Sequence, residues 1–237
     1  MPFPPDYKRA IDQYWHTYLR VTPDSDRYLV ASGAENGLLV LTTPDAVIVR
    51  THPDWLPLAT AALRADTPDE LAALRFIEQI GAQRPLVDSY GPGRVYYCHP
   101  THFIPDSTPA VLIDPARHAA ALETFWQAMG WRTDPTYADE QFADWPAAAA
   151  VWQGDQIVAL TRVRVYTGTL GTVLTGSLPA FRGKRLGGQT LSTATGWLHQ
   201  QGLIAQADAD YRNKSSLAMI EHLGYQLYGY LTFAYYQ

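Results

Sequence analysis

A chain of 237 residues, 47% apolar and 17% charged with a formal net charge of -5, is a folded globular protein long enough for two ordinary domains. The acidic balance argues against general nucleic-acid binding and suits a small or cationic partner. One cysteine, Cys98, excludes an internal disulfide and a multi-thiolate metal site, and no apolar run approaches the ~20 residues of a spanning helix. With no basic-then-apolar leader at the start, a cytoplasmic protein that binds no membrane is expected.

The chain opens with a helical stripe, Ile11, Tyr14, Trp15 and Tyr18, and continues into strand-like runs at "RYLVAS", "GLLVLTT" and "AVIVR". Two helices are expected next, the second starting at a cap on Thr67 with Pro68 and Glu70 completing the signal. "RVYYCHPTHF" returns to strand chemistry. Its Cys98, His99 and His102 match no familiar zinc spacing and are expected to be a strand end, with no metal. "FIPDSTPA" resists both helix and strand, which sets a boundary between an N-terminal α/β domain, 1–106, and a second domain, 107–237. An N-terminal half of similar size is compatible with a degenerate copy of the fold that follows it.

After the boundary come a strand, "VLID", and a helix with Asp114 as cap, Pro115 as first residue and Leu122, Phe125, Trp126 and Met129 on its buried face. A second helix is expected within "DPTYADEQFADW". A hairpin turns at Gly154 and Asp155, and a third strand carries Gly171 and Gly176, which mark a bend or a place where another backbone or a ligand approaches closely. Then "LPAFRGKRLGGQTLSTATGWL" joins a strand end to a helix with core positions Leu191, Ala194 and Leu198 and a cap at Gly202. A strand "LIAQAD", a helix from about Lys214 that ends at Gly224, and an aromatic strand complete the order βα(α)βββαβαβ.

A strand-to-helix loop exposes unpaired N–H groups at the positive end of the helix dipole and binds phosphate readily. Gly183, Gly187 and Gly188 remove side chains there, and Arg182, Lys184 and Arg185 add charge. Residues 179–188, PAFRGKRLGG, resemble the acyl-CoA pyrophosphate loop of the GNAT superfamily of N-acyltransferases, Arg/Gln-x-x-Gly-x-Gly/Ala. Residues 213–225, NKSSLAMIEHLGY, are similar to that superfamily's Asn-x-x-Ser/Ala helix ending in Leu-Gly-Phe/Tyr. Two departures are visible: Arg185 stands at the usual first loop glycine, and Ile220 stands where many members carry a tyrosine acid.

The resemblance implies a mixed, mostly antiparallel sheet flanked by helices over 109–237. It implies acetyl-CoA as co-substrate, a primary amine or peptide N-terminus as acceptor, and no metal. Pantetheine and the thioester would lie on backbone groups of Thr175, Gly176, Ser177 and Leu178. The pyrophosphate would lie on Arg182, Gly183, Lys184, Arg185, Leu186, Gly187 and Gly188, with Asn213 and Ser216 contacting the rest of the donor. Asn213 also suits a helix N-cap. Asp208 and Asp210, at a strand end near where this family's active site opens, are candidates to orient or deprotonate the acceptor. Tyr211 is the candidate acid, with Tyr225, Tyr228 and Tyr230 nearby in sequence. Trp145 is a candidate to line the acceptor site. The N-terminal domain is expected to cover the acceptor side or to support a homodimer. The alternative is a weakly active or inactive CoA-binding sensor or interaction module.

Overall fold

The computed structural model describes residues 3–20, 28–32, 37–57, 78, 82, 85–134, 136–166 and 168–236. The two helices expected between 52 and 85, with the cap at Thr67, lie outside the described residues. The helices are α1 (Pro5–Leu19), α2 (Ala119–Ala128), α3 (Leu186–Gln200) and α4 (Lys214–His222). The strands are β1 (Tyr28–Ser32), β2 (Gly37–Thr42), β3 (Val47–Thr51), β4 (Leu86–Cys98), β5 (Val111–Ile113), β6 (Ala148–Gln153), β7 (Gln156–Tyr166), β8 (Leu170–Ser177), β9 (Ile204–Asp210) and β10 (Gln226–Tyr236).

Two compact units account for the described residues. The first is Met1–Tyr96 with Asp208–Leu217 and Gln226–Gln237, and the second is Tyr97–Ala207 with Ala218–Tyr225. This division differs from a break at 106/107 for a physical reason: the C-terminal strand β10 pairs antiparallel with β2 and is therefore counted with the first unit. The "FIPDSTPA" stretch is also no free linker. The N–H groups of Ile104, Asp106 and Ala110 donate to Leu223 O, Ser192 Oγ and Thr193 Oγ1, which fixes an irregular, proline-containing segment inside the second unit.

The first unit orders its strands β1-β3-β2-β10-β4, with β1 and β3 parallel and β2 antiparallel to both neighbours. Proline in the first turn starts α1 without wasting an N–H. Its buried face is Ile11, Trp15 and Leu19; Tyr14 stacks on Tyr18 at 5.9 Å, and Tyr18 is 50% exposed, so the tyrosines flank the stripe instead of belonging to it.

The second unit orders β9-β8-β7-β6-β5, antiparallel except for the parallel β8–β9 pair. Alternate residues of a strand face opposite sides. Val158 and Leu160 join a core with Leu122, Phe125 and Trp126 of α2, whereas Thr161 faces α3, so one helix covers each side. Asp114 caps an isolated turn, accepting from Ala116 and Arg117 N–H at 3.0 and 3.4 Å, and α2 itself starts later, after His118. The helix expected within 134–145 is a set of turns with one 3₁₀ turn, Phe142–Asp144. A buried ion pair holds this region: the Glu140 carboxylate lies 3.2 Å from Arg162 and 2.7 Å from Arg164 and accepts from Trp145 Nε1 at 2.8 Å.

Three glycines of this unit are set by protein neighbours. A Cβ at Gly171 would strike Leu198, one at Gly176 would lie 2.6 Å from the Trp131 ring, and one at Gly224 would collide with His102 O. The close approaches expected at Gly171 and Gly176 are thus those of side chains, not of a backbone or a ligand.

Candidate functional site

The strand β8 and the loop after it are built around unpaired backbone groups. Leu178 N–H donates to Val158 O at 3.0 Å, so by alternation Gly176 and Leu174 also turn their backbone groups toward β7. Val173, Thr175 and Ser177 then point theirs to the opposite edge. There the parallel ladder with β9 covers only Leu170, Gly171 and Thr172, and among the described residues no strand pairs with 173–177 on that side. Of the four residues expected to hold the thioester arm, Thr175 and Ser177 therefore offer free N–H groups, while those of Gly176 and Leu178 serve the ladder. Val173 offers a third, which sequence reading missed because only the β7–β8 register reveals the parity.

Beyond β8, one 3₁₀ turn, Pro179–Phe181, leads to Arg182, whose Nε donates back to Ser177 O at 3.4 Å. Gly183 has φ of +78°, and Arg185 takes the left-handed conformation at φ 61° and ψ 9° as the residue that caps α3. That is the conformation glycine adopts at least cost, and in arginine it stores roughly 1–2 kcal/mol of strain. The departure from the family's glycine at this place leaves the turn itself intact. Among the described residues nothing accepts from the N–H groups of Gly183, Lys184, Arg185, Leu186 or Gly187; the first loop-to-helix bonds start at Gly188 and Gln189, both to Arg185 O. Five consecutive donors thus gather at the positive end of a 15-residue helix, beside Arg182, Lys184 and Arg185. Lys184 Nζ stands 4.8 Å over the Phe181 ring. A Cβ at Gly187 would lie 3.5 Å from both Thr175 and Ser177 side chains, so the two predicted donor-binding segments are neighbours. The Asp106 carboxylate reaches this turn, 3.8 Å from a Cβ placed on Gly188.

Beneath the loop, three hydroxyls join β8, β7 and α3. Thr175 and Thr161 are 2.9 Å apart, Thr161 reaches Thr190 at 2.8 Å, and Thr190 reaches Gly187 O at 3.0 Å. Thr161 and Thr190 carry no polarity pattern that singles them out in sequence, where threonine in a strand or helix reads as ordinary.

The candidates Asp208, Asp210, Tyr211, Asn213 and Ser216 lie in the first unit. Asp210 is engaged by Arg212 through Nε and Nη2 at 2.9 and 2.8 Å, and this guanidinium holds its carboxyl below the usual carboxylate range. Asp208 accepts from Tyr90 OH at 2.7 Å. Tyr211 donates its N–H to Pro92 O and lies under Arg212 at 5.7 Å and Lys214 at 6.0 Å. Asn213 accepts from Ser216 N–H at 3.2 Å and from Ser215 Oγ at 3.0 Å, which makes it the cap of α4.

In the second unit Tyr225 spends its hydroxyl on Thr195 at 2.7 Å. Ile220 is buried. Tyr228, in the first unit, donates to Asp12 at 2.8 Å. Burial pushes the Cys98 thiol up to about 12, so it stays protonated and is a poor nucleophile. Trp145 is buried, and with Trp197, Pro115 and Pro146 it lines a shallow depression of about 440 Å³.

No family model matches the chain, and no curated protein does. Solved structures do. A GNAT-family protein from Novosphingobium aromaticivorans is 15% identical over 63% of this chain, with a TM-score of 0.51, and the chain spans 65% of that protein's length. A GNAT-family acetyltransferase from Colwellia psychrerythraea is 12% identical, with 92% of this chain and 80% of that one covered and a TM-score of 0.52. A GCN5-related N-acetyltransferase-like protein from Streptococcus suis is 16% identical, with 97% and 98% covered and a TM-score of 0.52. At these identities the likeness is one of fold: the chain has the fold of the GNAT N-acyltransferases.

Proposed function

We propose that this protein is an N-acetyltransferase that moves an acetyl group from acetyl-CoA to a primary amine. The observation that carries the proposal is the run of five free N–H groups at residues 183–187, flanked by three cations at the head of α3. They suit a pyrophosphate, and the free N–H groups of Val173, Thr175 and Ser177 suit an extended amide arm and a thioester carbonyl. In the reaction the amine nitrogen attacks the carbonyl carbon, the C–N bond forms, the C–S bond breaks, and the thiolate leaves while the nitrogen loses a proton. Backbone N–H groups stabilise the charge that develops on oxygen, and this needs no side chain. Asn213 and Ser216 are proposed to contact the donor, Asp208 to orient the amine and Tyr211 to assist proton transfer. Asp210 suits orientation better than proton abstraction, because Arg212 keeps it ionised and weakly basic.

One observation favours a second reading. Ile220 is buried and apolar, and Tyr225 and Tyr228 are committed to internal partners, so a CoA-binding protein with little or no turnover is also consistent with the site.

The test is thermal stability with acetyl-CoA, CoA and dephospho-CoA, for the natural protein and for an Arg182→Ala, Gly187→Trp double variant. Occupancy at about 100 times Kd stabilises by ~2.7 kcal/mol. A rise in Tm that the double variant loses supports the donor site, and no rise at millimolar CoA overturns it. Thiol release over a panel of amines then separates the enzyme from the binder, since binding without release for every amine sinks the enzymatic reading.

A further inference from the structure

The hydroxyl chain under the loop has a fixed direction. Gly187 C=O can only accept, so Thr190 spends its one proton on it at 3.0 Å. Thr161 must then donate to Thr190 at 2.8 Å, and with its own proton spent it can only accept from Thr175 at 2.9 Å. Every proton therefore runs from β8 through β7 into the first turn of α3. Thr161 and Thr190 are both 0% exposed, so no water competes for these bonds. Their two ends are Thr175, one of the residues that present free N–H groups along β8, and Gly187, the last of the five free donors in the loop. Gly187 leaves only van der Waals room against Thr175 and Ser177, so the two segments are in contact as well as hydrogen-bonded through Thr161.

We propose that Thr161 and Thr190 are positioning residues for the acyl-CoA donor: their hydroxyls set the spacing and orientation of the β8 edge against the head of α3. A ligand that bridges a phosphate cradle and an amide-binding edge needs both at one spacing, and a buried, fully satisfied chain supplies a single arrangement. The inference rests on the CoA reading of the site and adds two residues that touch no ligand.

Valine and serine separate this role from simple packing. Thr161→Val keeps the shape and removes the hydroxyl; Thr161→Ser keeps the hydroxyl and removes a methyl. Titration calorimetry with CoA, at a temperature where each variant is folded by circular dichroism, is expected to show Thr161→Val weakened about tenfold and Thr161→Ser within about twofold of the natural protein. A packing role gives the reverse order, or changes Tm with no change in Kd. Natural affinity in Thr161→Val, or a Thr161→Ser as weak as Thr161→Val, overturns the proposal. If Thr161→Val does not fold, Thr190→Val and Thr190→Ser make the same comparison from the other end of the chain. Failure of the natural protein to bind CoA is a different outcome, since it removes the donor site itself and the positioning role along with it.

Discussion

Two sets of glycines in the second unit differ in what surrounds them. At Gly171, Gly176 and Gly224 an added Cβ would run into Leu198, Trp131 or the backbone oxygen of His102, so the protein itself fills the space. At Gly183 a Cβ would meet nothing within 4 Å, and at Gly188 the nearest atoms are 3.8 Å away. Interior packing therefore explains the first group and not the second. Open space alone is shared with the turn glycines Gly130, Gly154, Gly168 and Gly202; what sets Gly183 and Gly188 apart is the run of unpaired N–H groups at residues 183–187, on which the proposed donor site rests.

The harshest way to break this comparison is Gly224→Ala. The residue has φ of +86°, and the atom in the way is a backbone carbonyl that cannot swing aside. A loss of ~3 kcal/mol or more is expected from strain and collision together, read as a lowered denaturation midpoint. A midpoint within error of the natural protein would mean that the 102–104 segment yields, and that Gly224 is no more constrained than the loop glycines.

Gly188→Ala sharpens the contrast because its two effects have opposite signs. Alanine is the better helix former, by at most roughly 0.8–1 kcal/mol at this first-turn position, and the new methyl is in ordinary contact distance of Asp106 and Met219. The variant should therefore be as stable as the natural protein or more so. Its Cβ tilts toward the helix N-terminus, where the free donors are, so CoA affinity is expected to fall about tenfold by calorimetry. Stability and affinity that fall together would place Gly188 with the framework glycines.

How much of this was legible in the sequence follows from what kind of pattern each feature leaves. The stripe Leu191, Ala194 and Leu198 repeats at helical spacing, and all three are buried. Gly202 follows the helix at φ +70°, as a C-terminal stop signal requires. The loop could be recognised because of its context: alone, glycines and cations in that order read as a turn with solvated charges, but residues 213–225 follow it in the order and at about the separation that the resembled superfamily has. What could not be read depends on partners distant in the chain: Trp131 over Gly176, His102 behind Gly224, and the Ser192 and Thr193 hydroxyls that hold the proline-rich stretch. Asp210 shows a different limit at the candidate site, because its partner Arg212 is only two residues away. Its place at a strand end near the expected active site makes it a candidate to orient or deprotonate the acceptor, and the Arg212 fork that lowers its basicity is a matter of rotamer and not of residue order.

The two ends of α3 extend the comparison to pH. Its head presents donors to the outside, whereas near its tail His199 points inward, with Nε2–H donating to Cys98 O at 3.0 Å and the ring edge-on to Phe103 at 5.3 Å. Burial lowers the imidazole pKa; the bond to Cys98 O opposes this in part, and the nearby His99 adds to the lowering. A depressed histidine means that the unfolded chain binds the proton more readily than the folded one. The contribution to stability is thus complete above the free-imidazole value of about 6.5 and is lost as pH falls from there through the folded value, at no more than ~1.4 kcal/mol per pH unit. Tm should decline between pH 7.5 and 5.5, and His199→Gln, whose amide can keep the bond to Cys98 O without titrating, should remove part of that decline. CoA affinity, which the proposed site assigns to the opposite end of the helix, is expected to be the same in His199→Gln as in the natural protein at pH 7.5. An affinity that changes with the tail residue would show that the two ends of α3 are energetically coupled and that the distinction drawn between them fails.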